Sequence, residues 1–319
     1  MIANTVSAEP ASNAPKLEAH GPPLFDRIDF GSDADPIQGT VRWSPVKSLW
    51  WSGMTVGWLT LGTLHFSLSA VVVFVMLSGL TLCLGHSLGM HRKLIHRSFD
   101  CPKALERVLV YLGTLVGLGG PFTMTYTHDI RDWAQRSPAC HDFLSHKRGI
   151  LTDFWWQLHC KLYLDRGPDF AFPPELRTDA FYRALQATSM LQQVPPALLL
   201  YALGGWGWVA WGVCGRVSVS IFGHWLVGYL AHNGGERDWH VEGASTQGFN
   251  LRRLGLITFG ECWHNNHHAF PGSAKLGLIE GQLDPGWSVL QGFERLGLVW
   301  NVQTPEILPP RDELRAIGQ

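Results

Sequence analysis

Residues 48–91 read SLWWSGMTVGWLTLGTLHFSLSAVVVFVMLSGLTLCLGHSLGMH and contain no Asp, Glu, Lys or Arg. Such a run is long enough for two membrane-spanning helices of roughly 20 residues each. A slight polar break, at residues 62–67, lies between its two halves. We therefore predict a hairpin of two spans, 49–64 and 69–88, whose outer ends return to one side of a membrane.

A second almost uncharged run follows Arg183 and continues to Glu236, interrupted only by Arg216. Its glycine-rich segment 204–207 predicts the turn of a second hairpin. A third apolar stretch, 108–127, also has the length of a span. It is rich in glycine, and a fifth span would separate the histidine-rich segments described below. We predict that this stretch lies at the membrane interface or against the other helices.

The positive charges next to these runs favour one orientation. The two predicted turns carry no Lys or Arg. The basic residues fall on the side shared by the span ends, and they are Arg92, Lys93, Arg97, Lys103, Arg107, Arg131, Lys147 and Arg148. Because basic residues concentrate in cytoplasmic loops, that side and both termini should be cytoplasmic. The predicted fold class is an all-α integral membrane protein, with four transmembrane helices in two hairpins and a cytoplasmic helical cap.

Composition agrees with this class, since 46% of the residues are hydrophobic, 16% are charged and 15 are Trp. The net charge of −1 offers no basic surface for a nucleic acid. Residues 1–44, rich in Ala, Pro, Asp and Gly, predict a disordered tail. Residues 45–300 then form the membrane domain, and 301–319 a short C-terminal tail.

The 15 histidines of the chain are clustered, and the clusters predict a metal site. Residues 263–271 read WHNNHHAFP, an HxxHH spacing of His264, His267 and His268. On a helix this spacing should place the three imidazoles on one face. Imidazole suits Fe, Zn and Cu, whereas Mg and Ca prefer carboxylates.

A second pattern ends the first apolar run, where residues 85–99 read GHSLGMHRKLIHRSF. Five positions on an α-helix rotate the side chain by about 140°, so His91 and His96 would not share a face. We expect His91 to end the span and the emerging chain to turn His96 toward the same centre.

The order of these motifs resembles that of the acyl-CoA and acyl-lipid desaturases, over roughly residues 45–300. HRxxxHRSF at 91–99 is followed by a pair of apolar helices and by GExWHNNHHAFP at 260–271. Residues 129–134 are similar to the family's DxxEWA before its second histidine box, and Trp225 with His232 to its WLVNxxxH. The resemblance implies two irons, held by His91, His96, His141, His232, His264, His267 and His268.

Two departures from the family pattern bear on that ligand set. In the frame set by DxxEWA, the second box HxxHH falls on residues 137–141, which read SPACH and keep only His141. The Asn that usually holds a metal-bound water is Gly228. Four residues are candidate substitute ligands: Cys140, His128, His146 and His86. Asp129 and Trp133 match family positions near the tunnel for the acyl chain.

The function that this resemblance implies is oxygen-dependent desaturation of a fatty acyl chain. The substrate would be an acyl-CoA or an acyl-lipid, and a separate ferredoxin, rubredoxin or cytochrome b5 would supply electrons. The short Asn-Asn form of the last box is similar to bacterial members, so we expect a bacterial plasma membrane. A hydroxylase of the same superfamily, or a silent lipid-binding homologue, remains open because the second box is altered. A catalytic zinc uses about three protein ligands, fewer than these histidines offer.

Overall fold

The computed structural model describes residues 26–29 and 33–317, which are mostly helical. The helices are α1 Pro45–Leu64, α2 Leu68–Leu80, α3 Lys103–Leu115, α4 Pro121–Arg136, α5 Asp142–Ser145, α6 Ile150–His159, α7 Pro174–Arg177, α8 Ala180–Ala187, α9 Val194–Val209, α10 Arg216–Asn233, α11 Gly255–Thr258, α12 His264–Ala269 and α13 Pro285–Arg295. The π-helix Thr81–Ile95 continues α2, and the π-helix Ala210–Gly215 joins α9 to α10. A 3₁₀ turn, Leu191–Gln193, directly precedes α9. Short strands are β1 Ile28–Asp29, β2 Gly39–Trp43, β3 Cys160–Leu164, β4 Asp169–Phe170, β5 Trp239–Val241 and β6 Leu314–Ala316.

The first apolar run folds into a helical hairpin. Helix α1 ends at Leu64, and the side chain of Ser67 caps the start of α2 by accepting from the backbone N–H of Ala70. The rings of Trp58 and Phe74 stack across the hairpin with centroids 6.2 Å apart. Helix α2 then continues without a break into the π-helix that carries the first histidine pattern.

The second apolar run reverses direction where the sequence predicts a turn. Gly205, inside α9, has φ 66° and ψ −160°, a conformation open to glycine and strained for other residues. A Cβ on Gly212 would lie 2.8 Å from the side chain of Leu200, so the two arms pack side by side. The helical segments Leu68–Ile95 and Leu191–Asn233, the second of which includes the break at Gly205, are long and apolar enough to cross a membrane.

The glycine-rich stretch 108–127 is not one span, because its glycines break it. Helix α3 ends at Leu115, Gly117 and Gly119 adopt φ 92° and 151°, and α4 begins at Pro121. Arg216 fixes the end of α3 to the second hairpin. Its guanidinium is 2% exposed and donates to the backbone oxygen of Leu115, so it packs among the helices.

Helix α3 lies unusually close to the π-helix, and glycines make that approach possible. A Cβ on Gly85 would fall 2.4 Å from the backbone of Leu112, and one on Gly89 would fall 2.4 Å from the carbonyl oxygen of Leu109. Both distances are too short for any real side chain. The π-helix and α3 therefore fit together as backbone against backbone.

Parts of both predicted tail segments have defined structure among the described residues. Residues 1–25 and 30–32 lie outside the described part, but strand β2 pairs with β3, and the side chain of Arg27 is 7% exposed. At the other end, β6 pairs with β5, and Arg311 donates to the backbone oxygens of His268 and Ala269. The described chain is therefore not all-α, since it also contains these short antiparallel strand pairs.

We predict that Gly89→Ala destabilises the protein, because its methyl group would collide with the backbone of α3. Overpacking of this kind costs roughly 1–3 kcal/mol. We expect the melting temperature in detergent to fall by about 5 °C, measured by the temperature dependence of size-exclusion recovery. Gly53→Ala is the matched control, since a Cβ there meets nothing within 4 Å. Equal melting temperatures for the two variants would contradict the close approach.

Candidate metal centre

The HxxxxH pattern is brought together by the π-helix and not by an emerging turn, which corrects the expectation from α-helical geometry. In a π-helix the backbone bonds from residue i+5 to residue i, so these two residues lie almost above one another. The N–H of His96 donates to the carbonyl oxygen of His91 at 3.0 Å. The two imidazole centroids are 4.7 Å apart. The wider helix thus aligns two side chains that an α-helix would separate.

The first histidine group consists of His91, His96, His128 and His267, each offering a ring nitrogen within 4.8 Å of the others. Its members come from the π-helix, from α4 and from α12. Nε2 of His96 and Nε2 of His128 are 3.3 Å apart. Three segments distant in sequence therefore meet around one point.

His267 shows that this group suits a metal ion. Its side chain is 2% exposed, yet neither ring nitrogen has a hydrogen-bond partner among the described residues. Burying an unpaired polar nitrogen is costly in free energy. A metal ion among the four imidazoles would accept the lone pair of one of these nitrogens and remove that part of the cost.

The second histidine group consists of His232, His264 and His268. Nε2 of His264 lies 3.2 Å from Nε2 of His232 and 3.1 Å from Nε2 of His268. Nδ1 of His232 donates to the carbonyl oxygen of Gly228 at 2.7 Å, which leaves the lone pair on Nε2. Two imidazoles on one ion at about 2.1 Å, at angles near 90–110°, have nitrogens about 3.0–3.4 Å apart. The observed spacing fits that arrangement.

The HxxHH pattern serves both groups, whereas the sequence predicts one shared face. Successive residues on an α-helix point about 100° apart, so neighbouring side chains diverge. His264 and His268, four positions apart, point together into the second group, and His267 points into the first. Helix α12 thus joins the two groups.

Burial keeps these imidazoles neutral, which is the form that binds a metal. Desolvation lowers the pKa of His264 to about 4, against the opposing field of Asp132. Desolvation also holds the pKa of His267 and His268 well below the ordinary value. At neutral pH their lone pairs are available.

The structure brings His128 into the first group, whereas the sequence match placed the second box at residues 137–141. His128 is in the first group, so the HxxHH spacing starts there and ends at Asp132. Arg131 and Asp132 stand at the positions of its two later histidines. Desolvation acts to lower the pKa of both His128 and His264, and the negative charge of Asp132 opposes that effect at each of them.

His141 lies outside both groups, which contradicts its predicted place beside the other ligands. Its Nδ1 accepts from the backbone N–H of Phe143, and its ring lies 5.9 Å from that of Trp156. Cys140, a candidate substitute ligand, has its sulfur 3.5 Å from the hydroxyl oxygen of Ser245. Residues 128–132 read HDIRD, so the sequence carries only the first histidine of an HxxHH spacing at this place.

The other two substitute candidates also lie outside the groups within the described part of the chain. The ring of His86 packs edge-on against that of His224, with centroids 5.1 Å apart. His146 stacks on His232, at 5.3 Å between centroids, but its Nε2 bonds to Arg131. Among the described residues, His128 is therefore the substitute candidate that joins a group.

The two predicted tunnel residues have structural partners. The carboxylate of Asp129 accepts two bonds from the buried guanidinium of Arg27, at 2.6 and 3.1 Å, next to His128. Trp133 packs in a buried cluster with Ile130 and Phe143, and lines a surface groove with Ile37. Asp129 thus braces the start of the second box, and a tunnel role for either residue stays a prediction.

Glu261 supports the first group and received no role from the sequence. Its Oε2 lies 2.6 Å from Nδ1 of His91, and its Oε1 accepts from the hydroxyl of Ser87 at 2.6 Å. Burial would raise the pKa of Glu261, but His91 and Arg92 hold it well below its usual value. A carboxylate on the far nitrogen of a ligating histidine fixes the ring and raises its basicity. The Gly260-Glu261 pair at the start of the third motif was the sequence feature that could have identified this residue.

Buried amides hold the third motif in place. The side-chain oxygen of Asn250 accepts from the backbone N–H groups of Asn265 and Asn266 at the start of α12. Asn266 in turn donates to the backbone oxygen of Leu276. These bonds satisfy amides that a helix start leaves without partners. The two asparagines between the histidines are therefore scaffold.

Fold and site together define a class, a membrane-associated helical protein with two buried histidine groups suited to metal binding. The family model of fatty acid desaturases matches residues 66–274. The sn-1 stearoyl-lipid 9-desaturase of Anabaena variabilis is 37% identical over 82% of this chain and 94% of that protein. The sn-2 palmitoyl-lipid 9-desaturase of Nostoc sp. is 35% identical, over 74% of this chain and 82% of its own length. The icosanoyl-CoA 5-desaturase of Limnanthes douglasii is 32% identical, over 76% of this chain and 67% of its own length.

The chain belongs to the fatty acid desaturase family and is a fatty acyl desaturase, an oxidoreductase of lipid metabolism.

The two frames for the second box make opposite predictions about metal content. We expect His128→Ala to lose metal from the first histidine group, because it removes one of four convergent nitrogens. His141→Ala should keep the metal content of the unaltered protein, since its ring lies away from both groups. Metal analysis of the detergent-purified variants by inductively coupled plasma measures this. Loss of metal in His141→Ala with retention in His128→Ala would contradict the frame that starts at His128.

We predict that Glu261→Gln lowers metal affinity by about 10–100-fold, because the amide removes the charge that orients His91. Competition with a chromogenic chelator measures the affinity. Glu242→Gln is the control, since that exposed carboxylate pairs with Arg315 and belongs to neither histidine group. An affinity unchanged in Glu261→Gln would show that the carboxylate does not support a ligand.

Proposed function

We propose that each histidine group holds one iron and that the pair desaturates an acyl chain of a membrane lipid between carbons 9 and 10. When bound, the irons supply the activation of dioxygen that takes two hydrogens from adjacent methylenes. The single observation that carries the proposal is the pairing of two buried histidine groups through α12. A site for one metal would need only one of them.

The acyl-lipid substrate and the position are supported by the relatives. The Anabaena and Nostoc proteins are named 9-desaturases of lipid-bound stearoyl or palmitoyl chains. The Limnanthes protein is named as acting on an acyl-CoA at position 5. The identity and coverage of the Anabaena protein are higher, so we favour its substrate class.

The residues of this chain would orient ligands and keep water out. The carbonyl of Gly228 holds His232 with its Nε2 inward, and Glu261 holds His91 in the same way. The backbone of α12 is fixed through Arg311, which donates to the carbonyl oxygens of its last residues. A preorganised, largely buried set of ligands needs little rearrangement when it binds metal and substrate.

We place the two hairpins in the membrane as four spans, with the histidine groups and both termini on the cytoplasmic side of a bacterial plasma membrane. Two of the helical segments meet the length and hydropathy of a span. The basic residues next to the groups favour the cytoplasmic side. A separate ferredoxin, rubredoxin or cytochrome b5 would then reach the site from the cytoplasm with electrons.

We predict that the full chain, expressed in a bacterium without fatty acid desaturases, produces monounsaturated lipid with the double bond at position 9. Gas chromatography and mass spectrometry of dimethyl disulfide adducts locate the bond. The variant with His264, His267 and His268 changed to Ala should give no product, because both groups lose ligands. His65→Ala, at the exposed hairpin turn, is the control and should keep the activity.

Other products would decide against parts of this proposal. A double bond at another carbon would refute the position and leave the reaction intact. A hydroxy acid would identify the hydroxylase reaction instead. Iron bound in the absence of any oxidised lipid, with a reductase system supplied, would refute the proposed reaction.

A further inference from the structure

The second histidine group is bordered by a buried chain of hydrogen bonds that starts at Arg131. Nη1 of Arg131 donates to Nε2 of His146 at 2.6 Å. Nδ1 of His146 donates to Oδ2 of Asp153 at 2.9 Å. The ring of His146 lies nearly parallel to that of His232, with centroids 5.3 Å apart. The chain thus runs beside a member of the second group.

This arrangement has the form of a carboxylate–histidine–cation series. In metal sites a carboxylate holds one nitrogen of a histidine and the metal takes the other. Here Asp153 holds Nδ1 of His146, and the guanidinium of Arg131 occupies the cation's place at Nε2. An imidazole whose lone pair accepts from Arg131 cannot give that lone pair to a metal ion.

The chain is fixed at each member. Nη2 of Arg131 donates to Oε1 of Gln157 at 3.0 Å, and Nε1 of Trp225 donates to Asp153 at 2.8 Å. His146 has φ 56°, the left-handed region, and its carbonyl oxygen accepts from the side-chain amide of Asn233. His146 is 1% exposed, so its ring is enclosed by other protein atoms and cannot rotate freely.

Gly228 supplies the room for this chain. A Cβ on Gly228 would lie 3.4 Å from Nε2 of His146 and 3.7 Å from its Cε1. An amide side chain at this position would extend into the place of the imidazole. The glycine at 228, His146 and Arg131 therefore form one connected set of contacts.

We propose that the second metal position is a three-histidine site bordered by Arg131, His146 and Asp153, and that it binds iron more weakly than the four-histidine first position. The inference rests on the proposed two-iron centre. The guanidinium charge repels a bound cation, and His146 is withheld as a fourth ligand.

Iron release tests the inference without any measurement of desaturation. The full chain is purified in detergent, loaded anaerobically with Fe(II), desalted and mixed with the chelator ferrozine. We expect two phases of similar amplitude whose rates differ by about tenfold or more. His268→Ala should remove the fast phase, and His96→Ala the slow one.

Substitutions at Arg131 and His146 identify the cause of the difference. Arg131→Met removes the cation and frees His146, so the fast phase should slow by about tenfold. The double variant Arg131→Met with His146→Gln should release its second iron faster than Arg131→Met alone, because no fourth ligand is then available. Its release should still be slower than that of the unaltered protein, because the cation is absent. Arg166→Met is the control, since Arg166 is exposed and pairs with Asp35.

Three results would overturn the inference while leaving the two-iron proposal in place. They are release of both irons in a single phase, a fast phase unaltered by Arg131→Met, and loss of the second iron in the single variant His146→Gln. An unchanged slow phase in Arg131→Met shows that this variant is folded. Less than one iron per loaded chain in the unaltered protein would instead refute the proposed function itself.

Discussion

The structure depends on burying neutral imidazoles whose lone pairs converge. His267 shows the constraint most clearly, since both of its ring nitrogens are buried without a partner among the described residues. Such a group destabilises a fold unless a cation completes it. Metal binding and folding are then coupled, because the free energy of binding offsets the cost of desolvating the ligands. The close contact of glycines in the π-helix with α3 serves to assemble this interior.

Residues that never touch the proposed metals hold the ligands in position. Glu261 orients His91, Asn250 fixes the start of α12, and Arg311 fixes its end. Arg27 braces Asp129 beside the second box. These partners come from segments that the sequence places in loops or tails. Precision of the site therefore comes from the parts of the chain with the weakest periodic signal.

The hairpins and the third motif could be predicted from sequence because uncharged runs and HxxHH carry strong local signals. Three features could not. The alignment of His91 with His96 required a π-helix, which α-helical periodicity does not anticipate. The sequence match placed the second box at residues 137–141, whereas His128 joins the first group; an HxxHH spacing from His128 has Arg131 and Asp132 at its later positions and so lacks the histidines that identify the pattern. The strands near the two ends of the described chain pair with partners more than seventy residues away in sequence.

The central claim is that His128, and not His141, joins the first histidine group and that a separate second group lies beside it. An iron anomalous difference map from crystals of the detergent-purified, iron-loaded protein tests this most directly. The account predicts one peak enclosed by His91, His96, His128 and His267, and another beside His232, His264 and His268. A peak next to His141 and Cys140, or a single peak, would contradict it.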